Sequence, residues 1–305
     1  MSNKPSATGQ ASADQYSTDH VGECFAALQR ILPQHLLSRL GARLAESRIH
    51  WLKNWLIKGF SSVYKINLAE AESANPDDYE NFNAFFTRAL KPDLRPVDSG
   101  PETVVSPADG AVSQIGNIST GAVFQAKGKS FTVEALLGAN DQDSHAFQEG
   151  LFTTIYLSPQ DYHRVHMPIE GRLLYCRYIP GKLYSVNNAT ASHIDGLFAK
   201  NERLVCVFDT PAGRCAVILV GAMMVAGIET VWHGQYTAQM PLTTTYTDRH
   251  SVSLKKGEEL GRFKFGSTVI LLFEKDAVEW QPHFQHGSTT RMGEKLARQV
   301  TGATE

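Results

Sequence analysis

Cysteine is scarce in this chain of 305 residues. The four cysteines, Cys24, Cys176, Cys206 and Cys215, form no C-x-x-C pair and no other metal-ligand spacing. This pattern argues against a zinc module or a disulfide framework, and it predicts buried or free thiols in a reducing compartment. An excess of charge of one sign is also absent. The formal net charge of −2 gives no overall field that would attract nucleic acid.

Long hydrophobic runs are missing as well. The longest uncharged apolar run, residues 215–228, has 14 residues, which is too few to span a bilayer. Its β-branched residues and glycines favour core strands. The first residues are rich in Ser, Ala and Gln and lack the apolar centre of a signal peptide. We therefore expect a disordered leader over residues 1–19 and a protein that is made and kept in the cytoplasm.

Helical periodicity dominates residues 20–75, where three amphipathic segments follow one another. Pro33 can open the second segment at its first turn. The apolar positions of the three segments are Phe25, Leu28, Ile31 and Leu32; then Leu36, Leu37, Leu40 and Leu44; then Trp51, Trp55, Leu56, Phe60 and Val63. A further helix is expected within residues 75–91, with Asp77 or Asp78 near its start. Its apolar side carries Phe82, Phe85 and Phe86.

The helical segments are also basic. Residues 20–66 contain seven Lys or Arg residues and two Asp or Glu residues, although the whole chain is slightly acidic. Tryptophan and leucine interleaved with cations suit the head-group region of an anionic membrane. The alternative is a helical layer that packs on the rest of the protein and has an ordinary solvated face.

The character of the sequence changes at Val104. From there, short β-like runs alternate with Gly, Pro and Asp, and "DTPAG" between Cys206 and Cys215 predicts a hairpin turn. The predicted fold class is α+β. A helical membrane-associating region over residues 20–75 precedes a β-rich catalytic domain over residues 76–305.

Three short motifs could carry chemistry. Asp109 lies in "SPADG", His163 and His166 lie in "SPQDYHRVHMP", and Ser267 lies in "FGST". A carboxylate that orients an imidazole, which in turn accepts a serine proton, is the set that activates a hydroxyl group. Chains of this length contain such sets by chance, so each motif also has a plain interpretation.

The plain interpretations are structural. Asp109-Gly110 between two β runs is by default a hairpin turn. The two histidines could be solvated loop residues, and a metal site at them is disfavoured because no third ligand is obvious. The Gly266-Ser267 pair could be a turn or a bulge, and it lacks the G-x-S-x-G surroundings of a hydrolase elbow.

The residues that make up the motifs, and the order of the motifs along the chain, favour a catalytic role. "PADG", "AKGKSFTVEALLG", "YLSPQDYHRVHMPIEG", "YIPGKLYSVN", "ILVGAMMVAGIETVW" and "GRFKFGSTVILLF" occur in this order. Together they closely resemble the bacterial, membrane-associated form of phosphatidylserine decarboxylase. The resemblance covers roughly residues 25–280, and one departure is Phe265, where many members of the family have Leu or Gly.

The resemblance implies a proenzyme that cuts itself between Gly266 and Ser267. The products would be a β chain of residues 1–266 and an α chain of residues 267–305, held together as a heterodimer, with a homodimer of that pair as a further possibility. Ser267 would become a covalent pyruvoyl group, the only cofactor needed, which takes the place of pyridoxal phosphate as the electron sink.

The resemblance also implies residue roles. Asp109 and His166 would be the partners of Ser267, with His166 as the base and Asp109 as its orienting carboxylate. His163 would position the substrate and donate a proton to it. The partner is phosphatidylserine in an anionic membrane. Attachment would be peripheral, on the cytoplasmic face of the inner membrane, through the faces that carry Trp51 and Trp55 and the neighbouring leucines.

Three alternatives stay open on the sequence. A serine hydrolase could use Asp109, His166 and Ser267 on an external ester without cutting its own chain. A carrier module would need an exposed acceptor lysine between methionines, which "AMMVAG" does not supply. A decarboxylase that acts on a soluble amino acid is disfavoured by the basic aromatic helices, which such an enzyme would not need.

Overall fold

The structure is a computed structural model that describes residues 23, 26–29, 31–139, 142–223, 227–236, 243–246, 251–264 and 267–300. The predicted leader, Cys24, Phe265 and Gly266 lie outside the described residues. Within them, the helices are Gln34–Ala45, His50–Tyr64, Phe82–Phe86, Val133–Leu137, Gln142–Ala146, Asn188–His193 and Leu197–Lys200, with 3-10 turns at Leu68–Glu70 and Pro76–Asp78.

All of the described strands begin at or after Thr103. They are β1 (Thr103–Val105), β2 (Gly110–Asn117), β3 (Ala122–Ala126), β4 (Lys129–Thr132), β5 (Leu151–Leu157), β6 (Arg164–His166), β7 (Gly171–Ile179), β8 (Arg203–Thr210), β9 (Gly213–Gly221), β10 (Ile228–Thr230), β11 (Gly234–Gln235), β12 (Thr243–Thr245), β13 (Ser253–Leu254), β14 (Glu259–Phe263), β15 (Ser267–Phe273), β16 (Val278–Trp280), β17 (Thr289–Thr290) and β18 (Lys295–Gln299). The two longest described helices precede all the described strands, and the β-rich part holds only short helices, which confirms the predicted α+β class.

The helical part follows its sequence signals closely but not everywhere. The second amphipathic segment becomes the helix Gln34–Ala45, directly after Pro33. The helix expected within residues 75–91 is shorter than predicted. A 3-10 turn occupies its start, and the α-helix begins only at Phe82, where the side chain of Asn81 accepts a hydrogen bond from Ala84 N. The three phenylalanines do form a buried cluster, packed with Ile57.

A nine-stranded antiparallel sheet forms the centre of the β-rich part. Its order is β12-β7-β8-β9-β15-β5-β2-β17, and β13 pairs with β7. Every residue of β15 is buried. Because side chains alternate along a strand, Val269 and Leu271 enter one core, whereas Ile270 and Leu272 enter the other. A strand buried on both faces explains why "STVILLF" is apolar without alternation.

Smaller sheets surround this centre, with strand orders β11-β10-β14-β6, β1-β18-β16 and β3-β4. Strand β6 lies over the core that contains Val269, because Val165 belongs to the same cluster. The hairpin predicted at "DTPAG" is confirmed, since β8 and β9 pair up to Thr210 and Gly213.

Two interpretations of the sequence need correction. Asp109-Gly110 is not a hairpin turn, because β1 pairs with β18 whereas β2 pairs with β5 and β17. The segment around His166 is not all loop, because His166 ends strand β6. For the cysteines the prediction is confirmed: Cys176, Cys206 and Cys215 are buried free thiols.

Candidate active site

Ser267 is the first residue of β15 and lies in the middle of the large sheet. It pairs with Leu157 of β5 on one side and with Gly221 of β9 on the other. Its side chain is completely buried. By alternation it shares a face with Val269, so it points toward the core over which β6 lies.

His163 is the histidine that contacts this serine. Its Nδ1 lies 3.3 Å from Ser267 Oγ, and its Nε2 lies 3.1 Å from the carbonyl oxygen of Ser158. A carbonyl oxygen can only accept a hydrogen bond, so Nε2 carries the proton of the neutral ring. Nδ1 is then unprotonated and accepts from the hydroxyl group of Ser267, as a general base must.

Burial keeps this imidazole neutral. The ring is fully buried, and desolvation, helped by the positive charge of Arg88, lowers the pKa of His163 to about 3. The ring of Phe86 stacks on it with centroids 4.1 Å apart. The ring of His163 is therefore neutral at pH 7 and held in one orientation.

His166 is placed differently from the assignment made on the sequence. Its Nδ1 lies 2.9 Å from the carbonyl oxygen of Gly257, to which it donates, so Nε2 accepts from the hydroxyl group of Tyr162 at 3.0 Å. Both ring nitrogens thus have partners other than Ser267. Burial lowers the pKa of His166 and raises that of Tyr162 to about 12, so the pair is a neutral imidazole and a protonated phenol.

The spacing of the two histidines explains this difference. On extended backbone, residues an odd number apart point to opposite faces. His163 stands directly before β6 and His166 ends it, three positions further along. Val165, which shares the parity of His163, belongs to the core below Ser267. His166 consequently points to the opposite face of β6.

Asp109 is held by Arg95 rather than by a histidine. Both carboxylate oxygens lie 2.9 Å from Arg95 Nε, Oδ2 lies 2.6 Å from Nη2, and Oδ1 accepts from Met292 N at 2.9 Å. The same guanidinium group also donates to Glu70 at 2.8 Å. Hydrogen bonds to Asp109 raise the pKa of Arg95 above its usual value. The next residue is Gly110, and a Cβ atom at this position would collide with the carbonyl oxygen of Tyr156.

Three supporting residues were not found on the sequence. Asp161 Oδ2 accepts from Ser158 N at 2.7 Å and from Ser158 Oγ at 2.8 Å. This turn fixes the carbonyl oxygen of Ser158 against His163. The Ser-x-x-Asp spacing is the signal that could have revealed it, because it resembles a capping box. Arg95, the third, carries no motif that points to Asp109.

A cleft of about 790 Å³ opens beside these residues. This volume is typical of a small-molecule site. Asp109, Asp161, Tyr162, Arg88 and Lys65 are among the residues that line it. The buried reactive pair of His163 and Ser267 therefore lies just behind a cleft with several charged groups.

The chain matches two family models and is similar to several individual proteins over most of its length. A family model described as phosphatidylserine decarboxylase matches residues 82–298, and a second, described as PSD, matches residues 24–65. The chain is 50% identical over 283 residues to the phosphatidylserine decarboxylase proenzyme of Saccharophagus degradans, covering 92% of this chain and 99% of that protein. For the proenzyme of Azotobacter vinelandii the identity is 53% over 274 residues, covering 88% and 96%.

Proposed function

Because this chain belongs to the phosphatidylserine decarboxylase family, we propose that it cuts itself between Gly266 and Ser267 and then converts phosphatidylserine to phosphatidylethanolamine and CO₂. The observation that carries the proposal is the contact between His163 Nδ1 and Ser267 Oγ at 3.3 Å. A buried serine beside a neutral, tautomer-fixed imidazole is suited to attack its own backbone. The serine hydrolase alternative predicts instead a single uncut chain that keeps Ser267.

Self-cleavage begins when His163 takes the hydroxyl proton of Ser267. Oγ adds to the carbonyl carbon of Gly266, the peptide C–N bond breaks, and the proton passes to the freed amine of Ser267, leaving an ester. Loss of the Cα proton of Ser267 then expels the Gly266 carboxylate by β-elimination. Water converts the dehydroalanine that remains into a pyruvoyl group and ammonia.

The surroundings of Ser267 fit a terminal pyruvoyl group. Bound there, the group supplies an electron-withdrawing carbonyl that stabilises the charge left as CO₂ departs. Strands β5 and β9 pair with residue 267 and fix its position in the sheet, where its side chain is buried. His163 lies within reach to hold a proton for the product. His166 and Asp109 act further out, His166 by positioning Tyr162 and Asp109 by fixing Arg95.

The two chains should stay together after cleavage. The α chain would contribute β15 between β5 and β9, β17 against β2, and β18 against β1. These pairings bury the whole of β15 among strands of the β chain. A heterodimer of the cut chains is the expected product, and a homodimer of that pair remains part of the proposal without a contact to support it.

Attachment to the membrane is proposed for residues 20–75 because the helix Gln34–Ala45 buries polar residues and exposes its apolar face. Its polar residues Gln34 and Ser38 are buried, and Gln34 Oε1 accepts from Leu183 N at 2.9 Å. Its apolar residues Leu36, Leu37, Leu40 and Leu44 are exposed. An apolar face turned away from the protein needs another partner, and the basic surroundings favour an anionic bilayer.

The helix His50–Tyr64, which we call the tryptophan helix, continues this surface. Trp51, Trp55 and Val63 are 70%, 68% and 73% exposed, whereas Ile57 on the other side is fully buried. Among the described residues, no helix is both long and apolar enough to cross a bilayer. We propose peripheral attachment on the cytoplasmic face of the inner membrane.

The intact mass of the purified chain tests self-cleavage. We expect two chains that separate between residues 266 and 267, with the smaller one lacking its terminal amine and gaining hydrogen from borohydride. Ser267→Ala should give a single inactive chain of 33.6 kDa, the mass of the unmodified sequence. A Ser267→Ala protein that still releases CO₂ from phosphatidylserine would overturn the mechanism.

Vesicle binding tests the attachment. Trp51→Ala with Trp55→Ala should weaken binding to vesicles that contain phosphatidylserine by about 2 kcal/mol, roughly 30-fold, because two aromatic side chains leave the interface. Phe124→Ala is the matched control, since Phe124 is an exposed aromatic residue of β3 in the β-rich part. Cosedimentation measures both. Equal loss in both variants, or no loss in either, would contradict the assigned surface.

A further inference from the structure

Arg88 is a buried cation whose hydrogen-bonding capacity is mostly unused. It is only 5% exposed, and among the described residues neither Nε nor Nη1 has a hydrogen-bond partner. Nη2 donates to the carbonyl oxygen of Gln160 at 3.3 Å, and the group lies 5.5 Å from the ring centroid of Phe85. Burying unpaired donors is unfavourable, so unpaired buried donors are rare and each one calls for an explanation.

Arg88 lines the cleft of about 790 Å³. Lys65 and Arg291 line the same cleft, and no described carboxylate lies within ion-pair distance of either one or of Arg88. Four carboxylates also line the cleft, and each has a described partner: Arg95 for Glu70 and Asp109, Ser158 for Asp161, and the backbone N of Arg291 for Glu294. The cleft therefore offers cations that could hold an anionic ligand.

Arg88 is also next to the reactive pair. The ring of Phe86, two residues before it, stacks on His163, and Gln160 belongs to the turn that fixes His163. An anion bound to Arg88 would thus lie beside the side chains that reach Ser267. Burial lowers the pKa of Arg88, because desolvation disfavours its charged form.

We infer that Arg88 binds the phosphodiester of the phosphatidylserine head group, an inference that rests on the proposed function. The substrate carries two anionic groups, and the reaction separates their roles. The carboxylate loses its charge as CO₂ leaves, so a cation fixed on it would stabilise the substrate more than the transition state. The phosphodiester keeps its charge throughout, so a cation there gives affinity without slowing the chemistry. Arginine is well matched to phosphate oxygens.

The position of the cleft agrees with a ligand that enters from a membrane. Lys65 directly follows the tryptophan helix and lines the cleft. Phosphodiesters lie at the level of the head groups, where Lys and Trp side chains are also stable. A lipid that entered here would present its phosphodiester to Arg88 and its serine to the buried pair behind it.

Binding to the uncut Ser267→Ala protein tests the inference without turnover. The probe is dihexanoyl-phosphatidylethanolamine below its micelle concentration, which has a phosphodiester but no carboxylate. Adding Arg88→Met should weaken its binding about 10- to 100-fold, the range for a lost charged hydrogen bond. Arg298→Met is the matched control, because Arg298 pairs with Glu279 on the exposed surface. Arg88→Met should be at least as stable to urea as its parent, since a buried unpaired charge is removed.

Turnover of the cut enzyme supplies the second arm. Arg88→Met should raise the KM for dihexanoyl-phosphatidylserine with little change in kcat, and Arg88→Lys should recover part of the loss. The inference is overturned if Arg88→Met binds the probe like its parent, if only binding of phosphatidylserine is lost, or if inorganic phosphate binds as tightly as the lipid. Arg88-dependent lipid binding by a wild-type protein that releases no CO₂ would support the phosphodiester site and count against the proposed function.

Discussion

The His163→Gln chain is expected to remain uncut, or to cut itself at least 100-fold more slowly than the unmodified chain. Glutamine can still donate to the carbonyl oxygen of Ser158, but it cannot accept a proton from Ser267. General bases contribute about 10²- to 10⁴-fold to such steps. The measurement is the fraction of intact chain over time after synthesis in a cell-free system.

His166→Gln is the control variant for this experiment. Since His166 contacts Tyr162 and Gly257 rather than Ser267, its loss should slow cutting less than the loss of His163. The pH dependence adds a second criterion. A base with a pKa of about 3 is already unprotonated at pH 5, so the rate should stay flat between about pH 5 and pH 8. A chain that cuts normally without His163 but not without His166 would return the role of base to His166. A rate that falls below about pH 6.5 would contradict a base with the pKa of His163.

The fold class could be predicted from the sequence, whereas the contacts within the candidate site could not. Helical periodicity and short β runs are local signals, so the α+β order and the hairpin at "DTPAG" follow from them. The pairing of His163 with Ser267 depends on whether the histidine segment is loop or strand. Interpreted as a loop, the segment leaves both histidines equivalent. As extended backbone, it separates them onto two faces.

The sequence also could not predict which side chains are buried. The exposed leucines of the helix Gln34–Ala45 have ordinary amphipathic spacing, and spacing alone does not say which face turns inward. Only the tertiary contacts of Gln34 show that the polar face packs on the protein. Likewise, Arg95 and Asp109 are 14 positions apart in unrelated motifs, and the chain path between two sheets brings them together.

Arg95→Met is expected to lower the free energy of unfolding by about 3–5 kcal/mol. The side chains of Arg95 and Asp109 are each only 9% exposed, so removing the cation leaves a buried carboxylate with Met292 N as its remaining described donor. Urea unfolding of the Ser267→Ala chain measures the change on a single uncut polypeptide. Arg298→Met should change stability by less than about 1 kcal/mol, because its ion pair with Glu279 is exposed.

Pairing Arg95→Met with Asp109→Asn separates the charge from the packing. Asparagine can still accept from Met292 N, so removing the carboxylate together with its cation should restore much of the lost stability, and the two effects should be strongly non-additive. Additive losses would mean that Asp109 does not depend on Arg95 and is free to interact elsewhere. Non-additive losses would mean that Arg95 fixes Asp109 at the wall of the cleft. In that case Asp109 can affect His166 through its charge but not as a directly bonded member of a triad.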